Sequence, residues 1–105
     1  LYDAQYEALI VNRFNQEPVE TVTIAGKYCE SGDILIKNIQ LPEAESGDLM
    51  VFFSTGAYHH SMSNNYNGIP RPPVVLVNQG KHDLMVKGET YQDLNQNHVF
   101  PAWLA

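Results

Sequence analysis

The chain has 105 residues, 44% of them apolar, which fits one compact domain with one core and leaves no room for a second of ordinary size. Its net charge is −6 and its six Lys and Arg residues are scattered from Arg13 to Lys87, so no basic stripe exists for phosphate contact and no nucleic-acid partner is expected. Cys29 is the single cysteine, nothing reads as a signal peptide, and no apolar run reaches the roughly 20 residues that cross a bilayer; a cytoplasmic location without a membrane partner is expected.

Short β-branched runs bounded by turn residues read as strands. In chain order they are expected over residues 6–13, 21–27, 34–41, 49–54, 74–77 and 83–86. Between them stand Asn15-Gln16-Glu17-Pro18, Ser31-Gly32-Asp33, Ser46-Gly47-Asp48 and Gln79-Gly80, each with turn chemistry. Residues 56–63 suit a single helical turn, and residues 89–94 a short helix with Thr90 near its N-cap. Asn64-Asn65-Tyr66-Asn67-Gly68, followed by Pro70-Arg71-Pro72-Pro73, reads as one long ordered loop. The expected fold class is therefore mainly β, a Greek-key-type barrel or sandwich with one or two short helical turns. Folding at this size should bury about two thirds of the surface of the extended chain.

Cys29-Glu30-Ser31-Gly32-Asp33 lies between two expected strands, so its thiol and carboxylate are presented from a turn, where reactive groups are usually displayed. A thiol can give a proton or attack as thiolate, and a carboxylate can hold an ammonium group. The bland alternative is a small core cysteine beside a solvated glutamate. Thr55-Gly56-Ala57-Tyr58 puts a phenol at the end of the most hydrophobic strand, where it can donate to a phosphate or carboxylate or simply seal the strand edge. His59 and His60 diverge in direction as sequence neighbours, and His82 and His98 are distant, so no metal site is expected. No glycine-rich phosphate loop precedes a helix.

Together these stretches resemble the C-terminal part of the diaminopimelate decarboxylase family. The resemblance is carried by Cys29 to Leu35, Leu41-Pro42, Gly47-Asp48, Thr55 to Tyr58, Ser61-Met62, Asn65-Tyr66-Asn67, Arg71-Pro72 and Glu89 to Leu94, in the family's order over nearly the whole chain. Ornithine and arginine decarboxylases share the Cys-acid and Gly-Ala-Tyr segments but usually carry Asp where Glu30 stands, which favours the diaminopimelate branch.

The resemblance implies a β-domain, residues 1–105, that packs beside a TIM-type barrel holding pyridoxal phosphate on a lysine, in a head-to-tail homodimer. It implies that Cys29 is catalytic and takes part in proton transfer in the partner subunit's site, and that Glu30 binds the distal amino group of the amino acid substrate. It gives Tyr58 contacts with the cofactor phosphate and the substrate, and Tyr2 a substrate contact; Gly32, Gly56, Asn65 and Arg71 it leaves structural. The barrel, its lysine and its phosphate-binding glycines are absent from this sequence, and Leu1 in place of Met suggests a chain cut from something longer. The chain alone is thus expected to be inactive. Competing readings are a non-catalytic β-scaffold, a decarboxylase of another basic amino acid, and a free-standing cysteine hydrolase with a reactive Cys29.

Overall fold

Residues 3–104 are described by the computed structural model, in which the chain divides into two compact units, Leu1–His59 and His60–Ala105.

In the first unit β1 (Ala8–Ile10) is cut short by a 3-10 turn at Val11–Arg13, where an eight-residue strand was expected. Strands β2 (Glu20–Ala25), β3 (Ile34–Leu41) and β4 (Met50–Phe52) follow. β1 pairs antiparallel with β4, Ala8 opposite Phe52 and Ile10 opposite Met50, and the ladder runs on through Phe53 N–H to the Glu7 carbonyl at 2.9 Å. β2 pairs antiparallel with β3. That ladder is irregular at two places: Lys37 and Asn38 stand against Thr23, with Asn38 in left-handed backbone (φ 56), and Leu35 is an extra residue between the Ile24–Ile36 and Ala25–Ile34 pairs. The first of these lies where the apolar run Ile34-Leu35-Ile36 gives way to alternation, so the strand turns its face at the point where its pattern changes.

The second unit holds β5 (Val74–Asn78) and β6 (Lys81–Val86), an antiparallel hairpin in which Asn78 faces Lys81. Its two-residue connection, Gln79-Gly80, has positive φ at both positions, the turn whose twist matches that of the strands. Helix α2 (Tyr91–Asn95) starts at Thr90 with a capping box: Thr90 accepts from the Asp93 N–H and the Asp93 side chain accepts from the Thr90 N–H. A four-residue turn of helix, α1 (His59–Met62), lies at the unit boundary.

The fold is mainly sheet with a few short helices, but the expected closure is absent. Among the described residues the strands form three separate two-stranded ladders and no barrel, because no third strand joins any of them. Burial falls short in the same way. The chain exposes 9087 Å² where an extended chain of its mass would expose about 17,000 Å², so only about half is buried instead of about two thirds. Among the described residues Ile10, Leu41 and Pro42 are buried. Val75, Leu76, Val77, Leu84 and Met85 of the hairpin are all exposed, although a lone two-stranded hairpin is marginal in water.

Candidate functional site

The loop joining β2 to β3 carries Cys29 and Glu30, and Asp33 organises it. Gly26 N–H donates to the Asp33 carbonyl at 2.8 Å and Asp33 N–H to the Glu30 carbonyl at 3.1 Å, which closes the loop at its base. The Asp33 carboxylate accepts from the Tyr28 N–H at 2.9 Å, tying down the residue before the cysteine. It sits so close to Gly26 that a Cβ there would run into the carboxylate, so any larger residue has to displace the Asp33 side chain. At the tip, Glu30 Oε1 accepts from the Gly32 N–H at 2.9 Å. A carboxylate offers about four lone-pair sites, so this bond orients Glu30 and still leaves capacity for a cation. Cys29 and Glu30 are both exposed, which removes the reading of Cys29 as a core hydrophobe.

Tyr58 stands on a second loop, after β4. It is 76% exposed and therefore does not seal the strand edge. The segment holds two non-glycine residues in left-handed backbone, Ser54 (φ 57) and Tyr58 (φ 68), a conformation that persists only where the surroundings enforce it. Thr55 Oγ1 donates to the Phe52 carbonyl at 3.4 Å. The adjacent His59 Nδ1 lies 3.0 Å from the Ala57 carbonyl.

Cys29 and Glu30 thus share one loop and Tyr58 occupies another. Tyr2 lies outside the described residues, but the segment that follows it does not: Asp3, Tyr6, Ser31, Gly32, Leu35 and Lys37 line one hollow of about 380 Å³. Residues 3–6 therefore run beside the segment that follows Cys29 and Glu30. Among the described residues no group of three or more His, Cys, Asp and Glu could hold a metal ion, and no helix is long and apolar enough to cross a membrane.

Two charged clusters escaped the sequence reading. In the first unit Asp48 accepts from Arg13 Nε at 2.7 Å, Asn12 Nδ2 at 2.6 Å and the Glu45 N–H at 2.9 Å, and these donors, the Glu45 backbone first, hold its carboxyl at about 2. Arg13 also pairs with Glu45 at 3.1 Å, and its pKa is raised above the ordinary value, chiefly by the bond it donates to Asp48. In the second unit Glu89 accepts from the Arg71 N–H at 2.8 Å, from Arg71 Nη1 at 2.8 Å and from Asn65 Nδ2 at 2.6 Å, and its carboxyl is likewise lowered to about 2, the Arg71 backbone contributing most. Arg71 Nε further donates to the Ser63 carbonyl at 3.1 Å. This cluster pins the long loop to the start of α2, the structural role expected of Asn65 and Arg71, and borders a cavity of about 540 Å³. One signal was present: the tripeptide Ser-Gly-Asp occurs twice, at 31–33 and 46–48, and in each the aspartate accepts a backbone N–H from earlier in the chain.

A model of the pyridoxal-dependent decarboxylase C-terminal sheet domain matches residues 1–56, and the chain belongs to that family. Among curated relatives it is 57% identical over 94 residues to diaminopimelate decarboxylase of Bacillus subtilis, and 54% identical over 100 residues to that of Synechocystis. These alignments cover 90% and 95% of this chain but 21% of each relative, so the chain spans about a fifth of their length. The crystal structure of diaminopimelate decarboxylase from M. jannaschii superposes with a TM-score of 0.89 at 35% identity, covering 100% of this chain and 24% of the other.

Proposed function

We propose that this chain is the sheet domain of a pyridoxal-phosphate-dependent decarboxylase that converts meso-2,6-diaminopimelate to L-lysine and CO2. The observation that carries the reading is the exposed Cys29-Glu30 tip, organised by Asp33 and Gly26, in a chain 57% identical to a diaminopimelate decarboxylase. A scaffold has no need of a thiol and a carboxylate held outward together, which argues against the non-catalytic alternative.

The cofactor fits this chain as a neighbour. Both arginines are committed to carboxylates, Arg13 to Asp48 and Glu45 and Arg71 to Glu89, so neither cradles a phosphate. Tyr58, exposed at its loop, can add one donor to a phosphate seated in a barrel domain. Pyridoxal phosphate, when bound, supplies the electron sink for the bond that breaks. The residues of this chain act around it: Glu30 holds the distal ammonium of the substrate, and a substrate without that group leaves a carboxylate unpaired. Cys29 Sγ gives its proton to the carbon that has lost CO2, and the thiolate regains one from solvent.

The exposed hairpin and the open ladders suit a domain whose apolar faces are covered by a TIM-type barrel of the same enzyme and by the second subunit of a homodimer. Strands from elsewhere in the polypeptide would then complete the Greek-key barrel. The enzyme works in the cytoplasm, and the chain alone does not decarboxylate.

Setting the chain in place of the matching segment of the Bacillus subtilis enzyme tests this, with lysine formation as the assay. The intact chain restores turnover; Cys29→Ala lowers kcat about 10²- to 10⁴-fold, the usual worth of a placed proton donor, and Glu30→Ala mainly raises KM. If both variants turn over like the intact hybrid, the scaffold reading replaces this one.

A further inference from the structure

We propose that His59 and Tyr6 form a clamp that sets the direction of Tyr58, making both positioning residues for the reaction; this rests on the reading above that Tyr58 touches the ligand. Tyr58 is 76% exposed, so burial does not fix its direction, yet its backbone is left-handed, a state an unsupported tyrosine leaves readily.

Two contacts bracket the residue. On one side the His59 ring reaches back over Tyr58, with Nδ1 3.0 Å from the Ala57 carbonyl. A carbonyl only accepts, so Nδ1 carries the proton and donates, linking the residue after Tyr58 to the residue before it across a closed turn. On the other side the His59 ring meets Tyr6, with centroids 5.4 Å apart and planes at 77°, the edge-to-face arrangement that aromatic pairs favour. Tyr6 is half-buried and precedes Glu7, whose carbonyl accepts the Phe53 N–H at 2.9 Å at the end of the β1–β4 ladder. The ladder therefore holds Tyr6, Tyr6 holds the His59 ring, and the ring holds the turn that displays the phenol. An exposed hydrogen bond such as that of His59 competes with water, and the ring contact is what keeps it in register.

The test uses the hybrid enzyme with bound cofactor, carrying 3-fluorotyrosine at position 58. His59→Phe keeps a ring against Tyr6 and removes the Nδ1 donor, His59→Asn restores a donor near that position without the ring, and Tyr6→Leu removes the other jaw. We expect His59→Phe and Tyr6→Leu to move the fluorine resonance toward that of free fluorotyrosine and to raise the cofactor Kd about tenfold, the worth of one hydrogen bond to a charged group. kcat at saturating cofactor should change little, and His59→Asn, which offers a donor but no ring for Tyr6 to hold, should recover only part of the loss. An unchanged resonance and Kd in both His59→Phe and Tyr6→Leu overturns the clamp. Tyr58→Phe keeps the two ideas apart: if it leaves Kd and KM unchanged, Tyr58 is no ligand contact, and the fluorine resonance still decides whether the clamp exists.

Discussion

The two units are held together by different means. The first buries Ile10 and Leu41 and adds the Arg13–Asp48 cluster; the second has no buried residue among those described and is organised by Arg71, Glu89 and Asn65, a capping box and one hairpin. Hydrophobic burial stabilises without direction, whereas a charged network fixes geometry and adds less free energy in contact with water. The first unit can therefore display strained loops from a packed ladder. The second presents apolar strands that are stabilised when something covers them.

Ile10→Ala puts that contrast to its hardest test. Ile10 is 1% exposed, so its truncation should destabilise by about 2–5 kcal/mol, whereas Leu76→Ala on the exposed hairpin should shift the chain alone by no more than about 0.5 kcal/mol. Denaturant titration of both variants measures the ratio, and equal losses would mean that the hairpin is already covered. Leu76→Ala should cost more in the setting of the whole enzyme than in the chain alone.

Gly26→Ala comes next. The added Cβ displaces the Asp33 carboxylate and with it the bond from the Tyr28 N–H, at a cost of about 1–3 kcal/mol, and activity in the hybrid should fall as Cys29 and Glu30 lose their placement. Gly56→Ala is the control, since nothing lies within 4 Å of a Cβ there.

Acid is the mildest probe. Asp48 and Glu89 both have folded values of about 2, below their ordinary values of 3.8 and 4.5, so the unfolded chain binds more protons than the folded one in that window. Their contribution is complete above the ordinary values and is lost as pH falls toward 2. Circular dichroism against pH should show stability falling through this range, and Glu89→Gln should flatten the part of the curve that belongs to the second unit.

What the sequence revealed follows from where the information lies. The residues 34–41 strand was read with its observed limits because its apolar run is local, and Thr90 was recognised as a cap because capping chemistry is local as well. Helix α2 starts two residues later than expected because Glu89 is drawn to Arg71 and Thr90 is the cap. The first strand ends early at Ile10, where Arg13 and Asn12 turn toward Asp48, a partner 35 residues away that no local pattern announces. The Cys29-Glu30 pair was visible as a motif, but the need for Gly26 arises from the approach of Asp33, seven residues on, and only the folded loop shows it. The pairing of the strands into three separate ladders among the described residues is likewise a long-range outcome that the local turn and strand signals do not specify.

We propose that Cys29 serves a site whose cofactor lysine belongs to the other subunit of a homodimer. Mixing two inactive hybrids, one carrying Cys29→Ala and the other lacking the cofactor lysine of the barrel, measures it directly. In a two-fold dimer, random exchange makes half of the molecules mixed, and each mixed dimer holds one complete site, so activity should return to about a quarter of the intact level. Mixed dimers that form and stay inactive would contradict the account, placing Cys29 and the lysine in the same subunit's site.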